Sequence, residues 1–269
     1  YRMRGTWELR LRPQNGGRLR IFQHPFTCRN VKCKCKGTGE HVYVVGADTA
    51  SGYATSDGAG AMVWDATAGE FVADLYGNFT ATDLGNQVAM LARYYGTQSG
   101  DDRNAWCAIE ANNEGATVNR IVRAHGIWCH RSKIKRTGED RSGVVVSKTN
   151  RNAMLAENLE ALINGPPSTE QLAENPDAGS YPNFYCPFPE FWEQCLTFIE
   201  AAPTKTGVQK PDATKKAAQY KSRDDRVWMA NHAIFGCRRR YSGISGILIH
   251  KDLRRFTPKY KLLSGVAAA

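Results

Sequence analysis

No uninterrupted apolar stretch in this 269-residue chain approaches the roughly 18 residues a membrane-crossing helix needs, so membrane spanning is excluded and a soluble protein is expected. Cysteine is scarce, with 8 residues in all. That is too few for a disulfide-stapled scaffold, and no signal sequence of basic, apolar and small residues opens the chain. A reducing compartment is the default reading. Internal repeats and low-complexity tracts are missing, which excludes a solenoid or a structureless linker. Negative charge is the scarcer sign: 26 Asp and Glu stand against 36 Lys and Arg, a formal net charge of +10. Such a surplus favours a polyanionic partner through counterion release, with nucleic acid first in line, although solvated lysine faces give the same composition.

What is present suits a globule. At 42% hydrophobic and 23% charged residues the chain is too apolar for disorder, and its length allows one large domain or two small ones. It opens on YRMRGTWELRLRP, strand-like text entered midway, so a piece of a longer polypeptide is expected. Residues 1–40 read as a lead-in arm or hairpin turning at Asn15-Gly16-Gly17. Residues 41–47 (HVYVVGA), 61–65 (AMVWD) and 70–76 (EFVADLY) read as three consecutive antiparallel strands, the first buried on both faces. A Gly-rich turn separates the first two strands. Leu84, Val88, Leu91 and Ala92 then fall at helical spacing over residues 82–95. The pattern continues with a strand at 106–110, a helix at 115–124, a short strand at 127–130 and an amphipathic helix at 152–163. Two further helices are predicted over 190–199 and 224–236. Residues 241–269 form a basic C-terminal tail.

Chemistry concentrates at three acidic junctions. Asp48 ends the first strand, Glu110 ends the strand after the first helix, and Asp224-Asp225 open the last helix. Adjacent central strands would bring Asp48 and Glu110 to one sheet edge, and a helix packed on that sheet would deliver the third acid. Carboxylates so crowded repel unless a divalent cation neutralises them, the arrangement that two-metal phosphodiester cleavage uses. Oxygen-only donors suit Mg²⁺ or Mn²⁺. The competing account for any single acid is a solvated turn residue. Between Asp224 and Asp225 the helical geometry does not choose.

The segments GADTASGYATSDGAGAMVWD, AIEANNEGATVNRIV and SRDDRVWMANHAIFG, in that order, resemble the nuclease domain of the large terminase subunit of tailed bacteriophages, a member of the ribonuclease H-like superfamily. The lead-in LRIFQHP and the segments TNRNAMLAENLEALI and PEFWEQCLTFIE extend the likeness over roughly residues 18–237. The resemblance implies an α/β fold with a central mixed sheet flanked by helices, here over residues 41–240. It also implies an endodeoxyribonuclease that cuts concatemeric viral DNA during genome packaging, in the host cell cytoplasm and absent from the mature virion. By that likeness Asp48, Glu110, Asp224 and Asp225 are the catalytic residues and hold two Mg²⁺ or Mn²⁺ ions, with Asp57 in support. Implied partners are double-stranded DNA and, in the full-length protein, an ATPase domain, the small terminase subunit and the portal; no membrane is involved. Where relatives often carry His before the Asp pair this chain has Arg223, and Arg151 stands for their usual Lys. No GxxxxGK[ST] phosphate loop occurs, so no ATPase activity is expected of this chain.

Basic residues near the acids, namely Arg131, Lys133, Lys135, Arg136, Lys148, Arg151, Lys221 and Arg223, are candidates for phosphate contacts that read no sequence. Residues 131–146 are the candidate for the β-hairpin that the family carries beside its cleft. His41, His125, His130 and His232 are expected to be structural or surface residues, because a two-metal mechanism needs no general-base His. Cys28, Cys33 and Cys35 are spaced poorly for zinc, and free thiols are expected. Two alternative functions stay open: a Holliday-junction resolvase-like nuclease and a non-catalytic basic DNA-binding module.

Overall fold

The computed structural model describes residues 17–25, 41–49, 58–96, 104–112, 114–133, 140–147, 150–155, 157–158, 184–197, 200–201, 210–211 and 224–240. Along the chain these form β1 (Leu19–Ile21), β2 (Tyr43–Asp48), β3 (Ala59–Asp65), β4 (Glu70–Gly77), α1 (Ala81–Gly96), β5 (Trp106–Ile109) and α2 (Gly115–Ala124). There follow β6 (Arg131–Lys133), β7 (Asp140–Ser142), α3 (Arg151–Leu155), α4 (Pro189–Thr197), β8 (Glu200–Ala201), β9 (Lys210–Pro211) and α5 (Asp225–Arg240).

A five-stranded sheet runs in the order β1-β4-β3-β2-β5. The pairs β1–β4, β4–β3 and β3–β2 are antiparallel, and β2–β5 is parallel. Successive side chains of a strand point to opposite faces, and here both faces are covered. Tyr43, Val45 and Ala47 pack with Leu84, Val88, Ala92, Val118 and Val122 of α1 and α2. Val44, Met62, Trp64 and Phe71 pack on the other side with Phe184, Phe191, Met229 and Ala233, on and around α4 and α5. Burial on both faces explains why β2 is nearly unbroken in apolar residues. No described helix is long and apolar enough to cross a membrane.

Local signals place several boundaries. Thr80 caps α1: its hydroxyl accepts from the Asp83 N–H at 3.1 Å and donates to the Asp83 carboxylate at 2.7 Å. The last helix runs on to Arg240 rather than stopping at Gly236, because that glycine is a packing gap and not a C-cap. A Cβ on Gly236 would lie 2.5 Å from Ala108 Cβ. The expected strand at 127–130 is reduced to one bridge, Cys107 to Cys129. Its backbone does bond to β5, through Cys107 N–H to Trp128 O at 3.0 Å and His130 N–H to Cys107 O at 2.7 Å. From Arg131 onward the chain pairs with β7 instead. Of the predicted helix 152–163, Arg151–Leu155 is observed, and most of the remainder lies outside the described residues.

The helix α5 lies directly against the backbone of β2. A Cβ on Gly46 would stand 2.1 Å from Met229 O and 2.2 Å from Ala233 N, backbone atoms that cannot move aside. Gly46→Ala is therefore expected to destabilise the fold by about 3 kcal/mol, the upper end of ordinary overpacking. The readout is a thermal melt, with Tm lowered by about 10 °C in a domain of this size.

Candidate functional site

Two neighbouring parallel strands end in acids. Ala47 of β2 is level with Ile109 of β5, and the Glu110 N–H continues the ladder to Ala47 O at 3.0 Å. Asp48 and Glu110 therefore leave the sheet side by side. By strand alternation Asp48 shares the face of Val44 and Gly46, and Glu110 that of Ala108, so both carboxylates lie on the α5 side. The backbone carbonyl of Glu110 is fixed by the buried Asn119, whose Nδ2 donates to it at 3.1 Å. A Cβ on Gly115 would meet the same carbonyl at 2.1 Å, so α2 can start this close only with glycine there. The Glu110 side chain accepts from Asn112 Nδ2 at 3.0 Å, and the same amide donates to Val146 O at 2.7 Å.

The N-terminus of α5 arrives over this corner. Asp224 precedes the helix and its carbonyl accepts the first helical bond, from Trp228 N–H at 3.1 Å. Its carboxylate takes Arg151 Nη2 at 2.8 Å and Trp228 Nε1 at 3.2 Å, with the Arg151 guanidinium 4.7 Å from the Trp228 ring centre. Asp225 is turned inward and only 4% exposed, and its Oδ2 accepts from the Tyr76 hydroxyl at 2.6 Å.

The four acids act on one another. Burial pushes the Asp48 carboxyl well above the usual carboxylate range, and the charge of Glu110, a hydrogen bond to Glu110, and the charges of Asp225 and Asp224 all push the same way. Asp225 bears on it more strongly than Asp224. Sheet edge and helix end thus meet as expected of Asp48, Glu110, Asp224 and Asp225. Among the described residues, however, no three His, Cys, Asp or Glu side chains stand close enough together to hold an ion as they are. Protein donors hold the acids instead: Asn112 on Glu110, Arg151 on Asp224 and Tyr76 on Asp225.

Sequence reasoning missed the groups that fix this corner. Arg226 reaches from α5 to the fully buried Asp74 of β4 at 3.3 Å and lies 3.9 Å over the Tyr76 ring centre. Its own N–H donates to Gln194 Oε1 at 2.7 Å. Asp74 is also bound by Arg20 of β1, which continues to Glu190 of α4 at 2.7 Å. The available signal was an Asp in the middle of the apolar strand EFVADLY, a buried charge that needs cationic partners.

Other predicted residues scatter. Arg131 and Lys133 are exposed on β6, which pairs with β7 in a separate two-stranded sheet where the family's hairpin was expected. Arg131 is 3.6 Å from Asp140. That sheet is tied to the site, since Glu110 bridges to Val144 and Arg131 to Gly143. Asp57, Lys135, Arg136, Lys148, Lys221, Arg223 and the Cys28, Cys33 and Cys35 group lie outside the described residues. His41 pairs with buried Asp65 before the start of β2, far from the acids, while His125 meets Asn86 at 3.0 Å and His130 packs against Phe235. His232 is fully buried, and burial lowers its pKa to about 3.

A carboxyl whose folded pKa is raised stabilises the fold below its unfolded pKa and loses that contribution as pH rises through the folded value. Asp48 behaves so, as does Glu70, raised to about 7 by burial and by the nearby charge of Asp65. Below about pH 6.5 the buried His232 acts in the opposite sense, so the fall in Tm in chelator is expected as pH rises from about 6.5 to 8. Asp48→Asn, which removes one repelling charge, should melt higher than wild type at pH 8 by about 3 °C. Differential scanning calorimetry across that range checks both.

No protein-family model matches the chain, and no curated protein matches it in sequence. Solved structures do match it in shape. The large terminase nuclease of thermophilic phage G20c, solved with bound magnesium, aligns with a TM-score of 0.51 and 16% identity, over 81% of this chain and 87% of that one. The large terminase nuclease domain of Thermus phage P74-26 aligns with a TM-score of 0.47 and 18% identity, over 73% and 80%. With its mixed five-stranded sheet flanked by helices, the chain has the ribonuclease H-like fold of the G20c large terminase nuclease.

Proposed function

We propose that the chain is a divalent-metal-dependent DNA endonuclease that cuts concatemeric viral DNA during genome packaging, with Asp48, Glu110, Asp224 and Asp225 as the metal-holding residues. The observation that carries this reading is the meeting of two adjacent strand ends, which carry Asp48 and Glu110, with the start of α5, which carries Asp224 and Asp225. A cation that relieves such crowding binds with the repulsion in its favour. The donor set is oxygen only, which suits Mg²⁺ or Mn²⁺ better than zinc. The magnesium bound in the G20c nuclease, whose fold this chain shares, supports a divalent ion.

When bound, a pair of divalent ions activates water for attack and stabilises the leaving 3′ oxygen. The protein contributes position and charge. Asn112 holds Glu110 Oε1, and the Glu110 carboxyl is also hydrogen-bonded to Asp48. Arg151, seated on Trp228 and 42% exposed along its side chain, offers a guanidinium beside the acids for the scissile strand. Arg131 and Lys133, together with Lys135, Arg136, Lys148, Lys221 and Arg223, supply further phosphate contacts of the kind that orient a duplex without reading it. Asp57 supports the acids. In this reading the nuclease works in the host cytoplasm, in a longer polypeptide with an ATPase domain, the small terminase subunit and the portal.

With Mn²⁺ or Mg²⁺ the protein is expected to nick and linearise supercoiled plasmid. Asp48→Asn and Glu110→Gln should each lower the cleavage rate by about 100-fold or more. Their affinity for duplex DNA in chelator, read by gel shift, should stay within about threefold of wild type, because phosphate contacts dominate it. Wild-type protein that binds DNA and never cuts it would mark a binding module. Preference for four-way junctions over linear duplex would mark a resolvase.

A further inference from the structure

Asp225 and Asp224 are neighbours with opposite surroundings. The Asp224 carboxylate is bound by a cation, Arg151, and its side chain is 29% exposed. Asp225 is buried and is bound by the neutral hydroxyl of Tyr76. The Tyr76 hydroxyl donates to one oxygen of the buried carboxylate and so fixes its orientation.

The strand register explains how Tyr76 reaches it. Asp48 is paired with Gly60, and Gly60 with Tyr76, so the three form one row across β2, β3 and β4. Neighbouring strands are about 4.8 Å apart, which puts Tyr76 about 10 Å from Asp48 along that row. Gly60 in the middle of the row admits Met229 of α5 close to the sheet: a Cβ there would strike Leu75 O at 2.1 Å and Met229 Sδ at 2.9 Å. Gly58 clears the hydroxyl itself, since a Cβ at that position would be 2.2 Å from it. Over the ring lies Arg226, held by Asp74 and Gln194. The phenol is thus held on its face and at its tip, with the hydroxyl directed at Asp225.

We propose that Tyr76 is a positioning residue for the metal centre, holding one oxygen of Asp225 so that the carboxylate presents its charge to a divalent ion beside Asp48. This inference rests on the nuclease reading above. Tyr76→Phe keeps the ring beneath Arg226 and removes only the donor. Isothermal titration with Mn²⁺ alone, without DNA, is expected to show binding about tenfold weaker than wild type, the usual effect of losing a group that orients a ligand. The Tm in chelator should stay within about 2 °C, because the ring packing survives. Equal Mn²⁺ affinity in wild type and Tyr76→Phe overturns the proposal and leaves the nuclease reading intact. Absence of Mn²⁺ binding to wild type overturns both. Should Tyr76→Phe also lower the Tm, a double-mutant cycle with Asp225→Asn decides. No further loss of affinity from Tyr76→Phe in the Asp225→Asn background supports the proposal, and fully additive losses overturn it.

Discussion

The repulsion between Asp48 and Glu110 governs the site. Backbone hydrogen bonds place the two residues at the ends of adjacent parallel strands, so their carboxylates leave the sheet at one corner. The sheet therefore imposes a charge conflict that the free side chains would avoid. Asp224 and Asp225 add to it from the helix. A fold accepts such a conflict only where the rest of the structure overdetermines the backbone. Here that role falls to the Gly46 contact under α5 and to the buried Asp74 with its two arginines.

The same arrangement connects energetics to chemistry. In the proposed nuclease, acids that repel in isolation become a receptor for positive charge once the scaffold holds them together. The donors around them differ in kind: an amide on Glu110, a phenol on Asp225 and a guanidinium on Asp224.

Much of this was legible in the sequence where the signal is local. Strand-end acids after apolar runs marked Asp48 and Glu110, and an Asp pair before a helix marked Asp224 and Asp225, because strand and helix boundaries are written within a few residues. The helix extending past Gly236 was not legible, since a glycine that admits a neighbouring strand looks the same in one dimension as a glycine that ends a helix. Nor was the reduction of the predicted strand at 127–130 to one bridge, since its alternation is genuine but the chain leaves β5 at Arg131 for β7. Tyr76 and Arg226 are separated by 150 positions in the chain and meet only through tertiary packing. A buried Asp74 could be suspected from its apolar neighbours, but its partners on β1 and α5 could not.

Asn112 has a mechanical consequence of its own. Its single amide group grips both the Glu110 carboxylate and the Val146 carbonyl, while Val144 is bridged to Glu110 itself. The strand that returns from the β6–β7 pair is thereby riveted to one acid of the centre. The place of the Glu110 carboxylate is therefore set by the seating of that two-stranded arm as well as by β5.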